Sequence, residues 1–286
     1  MQVEMALAIL LGRIEFNELI RVRIFHIIKN GVNWYDFLNH CVRTNMVCLV
    51  YKNMMELGIE KLLPTVIRNN MRYHYEQNII RNQRLTQMQE KITRELAAKG
   101  IFVSPVKGIK FLRTIYQKDP GVRLLNDVDI LASHSDRDII HRYMTENHFF
   151  SYLIDDEDAF CADGKEEAYH FYINFTNATL HDDLRIDFDY TYPTDFLKEI
   201  YSENHFCEFC YLCRSYYSTM KSRGLPQTID QFDYIKLLDI SEYYKCFLGN
   251  TTRDDIRNAA KALQFTEEIE YTLDCVEQMC LQTMRL

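Results

Sequence analysis

With 286 residues, 47% of them hydrophobic, and 19 Tyr and 17 Phe against only 9 Gly and 5 Pro, the chain has the composition of a compact, helix-rich protein, which excludes a disordered or fibrous one. A net charge of -8 excludes a surface that binds nucleic acid throughout, although residues 1–100 hold 14 Lys+Arg against 9 Asp+Glu. The nine cysteines, odd in number, irregularly spaced and with no secretion signal ahead of them, read as reduced thiols in a cytoplasm, and no apolar run is long enough for a membrane span.

Residues 4–30 carry apolar side chains at helical spacing, with the run Met5 to Leu11 reading as a core helix and Asn30-Gly31 as its end. Asn33 is placed to cap a second helix through Trp34, Phe37, Leu38 and Cys41, and the run Val47 to Met55 begins or continues another before Gly58. After Pro64, the spacing predicts one long amphipathic helix over Thr65 to Lys99, closed by Gly100. His26 and His40 read as packed or surface residues. The arginines of the long helix (Arg68, Arg72, Arg81, Arg84, Arg94) read as a solvated face, with a polyanion surface as the alternative.

From Ile101 the pattern changes. An apolar run to Val106 reads as a central strand, Lys107-Gly108 as a turn, and Ile109 to Gln117 as a helix. A Pro120-Gly121 turn and Arg123 then precede Asp127-Val128-Asp129-Ile130-Leu131. On a strand the side chains alternate, so the carboxylates of Asp127 and Asp129 point to one face while Val128 and Ile130 point to the other. Two adjacent anions repel unless a cation lies between them. Mg²⁺ suits that role, being held by one or two carboxylates together with substrate phosphates.

Ser135 to Glu146 reads as a helix, and the acidic stretches at 155–158 and 164–167 as loops. Strand-like alternation returns at Tyr169 to Phe175. A turn at 179–183 then leads into the strand Leu184 to Tyr190, where Arg185, Asp187 and Asp189 share a face; Arg185 pairing with Asp189 is the bland alternative. Cys207, Cys210 and Cys213 have a spacing that invites zinc, but on a helix over 196–217 they form an apolar core stripe, which is the preferred reading. The tail is again helical, with Thr251 or Thr252 capping a helix that carries Asp254 and Asp255 in its first turn.

The order Val106-Lys107-Gly108, helix, Tyr116, turn, Arg123, Asp127-Val128-Asp129 resembles the DNA polymerase β-type nucleotidyltransferase superfamily, and more closely the bacterial family of uncharacterised nucleotidyltransferases. Leu238-Asp239-Ile240 in the tail resembles that family too. The resemblance implies an α+β fold with a polymerase β-type core, a mixed sheet with flanking helices. That core would span 101–195, between helical parts at 1–100 and 196–286. In the superfamily a Gly-Gly or Gly-Ser pair at the turn holds the nucleotide's phosphates near the next helix, where glycine permits close approach and free N–H groups donate. Lys107 departs from that pair but agrees with the narrower family. Of the family's Asp-apolar-His strand, Ile186-Asp187-Phe188 fits, and Asp189 stands where the histidine would be.

The resemblance further implies a metal-dependent transfer of a nucleoside monophosphate from ATP or another NTP, with release of pyrophosphate. Asp127 and Asp129 would bind two Mg²⁺ ions (or Mn²⁺), with Asp187, or failing it Asp189, completing the catalytic one. Lys107, Gly108 and Arg123 would serve the nucleotide, Arg123 either neutralising charge or bracing the Asp strand. The acceptor is open between a small molecule, RNA and a protein. The alternatives are a toxin-like enzyme modifying tRNA, consistent with the basic first hundred residues, and a catalytically silent nucleotide- or protein-binding module.

Overall fold

The computed structural model describes residues 2–116, 119–152, 172–177, 185–226 and 231–285. The acidic stretches at 155–158 and 164–167 and the turn at 179–183 lie outside these residues. The chain forms two compact units. One comprises residues 1–80, 112–124 and 205–286, and the other residues 81–111 and 125–204.

The first unit is helical. Helix α1 (Val3–Leu11) is buried from Met5 to Leu11, which is why the opening run carries no polar residue after Glu4. The single helix expected over 4–30 is in fact two. Gly12 ends α1, and a Cβ there would come within 2.8 Å of both Leu238 Cδ1 and Met46 Cε. Asn17 then starts α2 (Glu18–Lys29), its side chain accepting from the Ile20 N–H. Helical spacing continued through this break, so the apolar pattern alone could not show it.

Asn33 caps α3 (Trp34–Arg43) as its sequence position predicts, accepting from the N–H groups of Tyr35 and Asp36. Helix α4 (Val47–Glu56) follows, then the start of α5 (Thr65–Ala97). The C-terminal helices of this unit are α9 (His205–Lys221), α10 (Tyr234–Leu248), α11 (Arg253–Leu263) and α12 (Thr266–Arg285). Helix α9 packs on α10 and α12, and α1 packs on α3, α2, α4 and α12. Thr252 and Asp255 form a reciprocal capping box at the start of α11.

Cys207, Cys210 and Cys213 are buried along α9, and burial pushes the thiols of Cys210 and Cys213 up. They pack in the interior as reduced side chains. His205 donates to or accepts from the Tyr243 hydroxyl at 3.0 Å and stacks on Phe247.

The second unit is built on a five-stranded mixed sheet among the described residues, in the order β1-β2-β5-β4-β3. Its strands are β1 (Val103–Val106), β2 (Asp127–Ala132), β3 (Phe149–Tyr152), β4 (Tyr172–Asn177) and β5 (Arg185–Asp189). Only the β2–β5 pair is parallel; β1–β2, β4–β5 and β3–β4 are antiparallel. The expectation that the 101–106 run forms a central strand is corrected here, because among the described residues β1 is an edge strand. Pro105, which lacks an N–H, suits an edge and would break a ladder at the centre. Helix α6 (Gly108–Thr114) follows β1, α7 (Arg137–Glu146) packs against β3, and α8 (Thr194–Tyr201) packs against β1. The Tyr143 hydroxyl on α7 donates to Glu95 at 2.8 Å, tying α7 to the last turns of α5.

Candidate active site

In the parallel β2–β5 pair, Asp129 lies opposite Asp187, Asp127 opposite Arg185, and Leu131 opposite Asp189. Residues paired across a ladder share a face, and alternate residues along a strand return to it. Asp127, Asp129, Arg185, Asp187 and Asp189 therefore occupy one face of two adjacent strands. The other face carries Val128, Ile130, Ile186 and Phe188, all completely buried. The apolar residues fix the register, since a slip of one position would bury the acidic set and expose the apolar one.

Lys107 completes the cluster from the turn after β1. Its backbone has φ 56°, the left-handed region that a side chain with a Cβ rarely enters, at a cost of about 1–2 kcal/mol. The Lys107 carbonyl accepts the first helical bond of α6 from the Phe111 N–H, while the ammonium reaches Asp129 Oδ1 at 2.7 Å. Burial works against the Lys107 ammonium, but Asp129 beside it, with Asp189 and Asp127 beyond, outweighs burial and raises its pKa. Gly108 is needed for space: a Cβ there would lie 2.4 Å from Leu125 Cδ2.

Asp187 has a fully buried side chain, and the Nε of Arg185, 40% exposed, donates to its Oδ1 at 2.7 Å. The bland expectation of an Arg185–Asp189 pair is thus corrected; Arg185 holds Asp187. Burial pushes the Asp187 carboxyl up to about 6. Arg185 opposes that shift, and Asp127 and Asp129 add to it. Burial also raises Asp189, against hydrogen bonding from Thr191, whose N–H donates to Asp189 Oδ1 at 2.9 Å.

A family profile described as uncharacterised nucleotidyltransferase matches residues 30–280, a span that contains both Asp-bearing strands and the Lys107-Gly108 turn. The chain belongs to this nucleotidyltransferase family. No curated protein and no solved structure matches it. The family membership supports a general role in nucleotidyl transfer.

For the divalent cation that the resemblance implies, the acidic face of β2 and β5 offers carboxylate oxygens. Carboxylate oxygens are the ligands that Mg²⁺ prefers, and a cation would offset both the burial that chiefly raises Asp187 and the smaller repulsion that Asp127 and Asp129 add. The three carboxylates are not a ready-made cage. Among the described residues, no group of three or more His, Cys, Asp or Glu side chains is arranged to hold a metal ion. At the central pair, Lys107 holds Asp129 and Arg185 holds Asp187.

Arg123 belongs to the helical unit of this nucleotidyltransferase. Its Nε lies 2.9 Å from Asp239 Oδ2 on α10, and its Nη1 donates to the Leu124 carbonyl at 2.6 Å. The Tyr116 hydroxyl donates to the other oxygen of Asp239. Asn78 adds bonds to the carbonyls of Gly121 and Arg123, at 2.8 and 3.1 Å. Two landmarks of the motif, Tyr116 and Arg123, thus converge on one buried carboxylate. Sequence reading did not single out Asp239 as a partner; the available signal was an acid inside the apolar helix Tyr234–Leu248.

Proposed function

We propose that the chain transfers a nucleoside monophosphate from an NTP, ATP among the candidates, to an acceptor, using a polymerase β-type site on β2 and β5. The observation that carries this reading is the in-register opposition of Asp129 and Asp187 on parallel neighbouring strands, with Asp127 on the same face and Lys107 beside them. Asp127 and Asp129 would hold two Mg²⁺ ions, or Mn²⁺, with Asp187 completing the catalytic one. Bound there, the ions would supply Lewis-acid stabilisation of the attacking and leaving oxygens.

The chain's own residues do the rest of the positioning. Lys107 offers a compact cation to the triphosphate, and Gly108 lets it approach the turn. An acceptor hydroxyl oxygen bonds to the α-phosphorus, losing its proton to water, as the α–β bridging bond breaks and pyrophosphate leaves. Asp187 is preferred over Asp189 as third carboxylate, because it faces Asp129 directly whereas Asp189 lies opposite Leu131. For Arg123 the salt bridge to Asp239 favours bracing of the segment that leads into β2 over contact with nucleotide.

The test is label transfer from each α-labelled NTP, with Mg²⁺ or Mn²⁺, into the RNA, protein and small-molecule fractions of a bacterial lysate, run beside Asp129→Asn. Label in one fraction with the unmutated protein alone supports the reading and names the acceptor class. Mg²⁺-dependent NTP binding without transfer into any fraction would instead indicate a catalytically silent binding module.

A further inference from the structure

We infer that Lys107 and Arg185 are built-in counterions that close the carboxylate cluster to a bare divalent cation, so that the ion is taken up only together with a nucleoside triphosphate. This rests on the nucleotidyl-transfer reading and concerns what Lys107 and Arg185 do before the nucleotide binds.

Both carboxylates of the opposed central pair already have a cation at 2.7 Å: Lys107 on Asp129, and Arg185 on Asp187. The two bridges are not equally easy to open. Arg185 is 40% exposed and can turn its guanidinium to water. Lys107 is 24% exposed and Asp129 12%, so an aqueous cation that displaced the ammonium would break its 2.7 Å bond to Asp129 in a largely dehydrated turn. The backbone of Lys107 adds to this, because its φ of 56° persists only while surrounding contacts hold it.

A triphosphate changes the balance. The lysine ammonium is a point charge on a flexible stem, and it can pass from a carboxylate oxygen to a phosphate oxygen while remaining paired throughout. The carboxylates released by that move face the cation that the triphosphate carries. Lys107 therefore acts in two places, on Asp129 in the free protein and on phosphate in the complex, and opens the site only to a ligand that brings anion and cation together.

The test is equilibrium dialysis of radiolabelled Mn²⁺ against the full chain, alone and with a mixture of the four α,β-methylene NTPs, with Mn²⁺ counted by radioactivity and analogue by ultraviolet absorbance on both sides of the membrane. It compares the unmutated protein with Lys107→Gly, which accepts the positive φ without strain, and with Lys107→Met, which keeps the stem. Far-UV circular dichroism checks that each variant is folded. The inference expects Mn²⁺ retention at least about tenfold tighter with analogue than without in the unmutated protein, and, with a nearby positive charge removed, bare Mn²⁺ bound about tenfold more tightly by the folded Lys107 variants. If the unmutated protein retains the analogue but binds Mn²⁺ equally well without it, or if the Lys107 variants leave bare Mn²⁺ affinity unchanged, the counterion role is overturned and nucleotidyl transfer stands. If the unmutated protein retains no analogue at all, the reading fails and the inference fails with it.

Discussion

Asp129 and Asp187 are direct partners across the parallel β2–β5 ladder, each bound to a cation of its own, Lys107 and Arg185 respectively. If these two carboxylates are the centre of the reaction, Asp129→Asn and Asp187→Asn will each lower label transfer by a factor of about a hundred or more. Asp189→Asn, whose partner in register is Leu131, will have a smaller effect, about tenfold or less. Steady-state transfer rates of the three variants decide between Asp187 and Asp189; the reverse order would move the third carboxylate to Asp189.

Asp187 also makes stability depend on pH in a known direction. Its folded pKa of about 6 lies above the ordinary 3.8, so between these values the folded state binds more protons than the unfolded one. A group of this kind costs nothing below about 4, opposes folding increasingly as pH rises to about 6, and costs a constant amount above, on the order of 3 kcal/mol at most. In metal-free buffer the urea midpoint of the unmutated chain will therefore fall between pH 4 and 6 relative to that of Asp187→Asn. Parallel midpoints across that interval would show that burial of the carboxyl is relieved by other means.

The Arg123–Asp239 bridge predicts a stability effect of another kind. Its side chains are 11% and 4% exposed, so Asp239→Asn removes the carboxylate charge bonded to a buried guanidinium and should cost about 3–5 kcal/mol in urea unfolding. Tyr116→Phe, which removes one hydrogen bond to the same carboxylate, should cost about 1 kcal/mol. The exposed pair of Lys198 and Asp195 should contribute less than about 1 kcal/mol.

Gly121 tests the fit of the same segment. A Cβ there would meet Tyr75 Cε2 at 2.5 Å and Ile79 Cγ1 at 2.9 Å, and an aromatic ring held by its hydroxyl to Asp119 cannot rotate away freely. Gly121→Ala should lower stability by about 1–3 kcal/mol in thermal or urea unfolding. An unchanged midpoint would mean that the turn shifts as a body at little cost.

What the sequence revealed and what it concealed divide along the range of the interactions. Local patterns were legible: the Asn33 and Thr252 caps, the long helix from Thr65, the buried Met5 to Leu11 run, and the alternation that puts Asp127 and Asp129 on one face of a strand. Facts that depend on a distant partner were not. The apolar run before Lys107 looked central, yet strand order places it at the edge, where Pro105 is the only local hint. The side chain that Arg185 grips could not be chosen between Asp187 and Asp189 by periodicity, because both share its face. Asp239 lies 116 positions from Arg123, and no spacing rule connects them. Lys107 was expected to meet phosphate; its grip on Asp129 depends on a left-handed turn residue, which no propensity favours for lysine.

The account stands most directly on where the NTP is cleaved. The measurement is a paired assay with one NTP labelled at either its α- or its γ-phosphorus, incubated with acceptor-containing lysate, Mg²⁺ and the unmutated protein or Asp129→Asn. Nucleotidyl transfer predicts that the α-label becomes attached to the acceptor and the γ-label leaves as pyrophosphate, both lost in Asp129→Asn. Attachment of the γ-label to the acceptor, or α-label transfer that survives in Asp129→Asn, would contradict it.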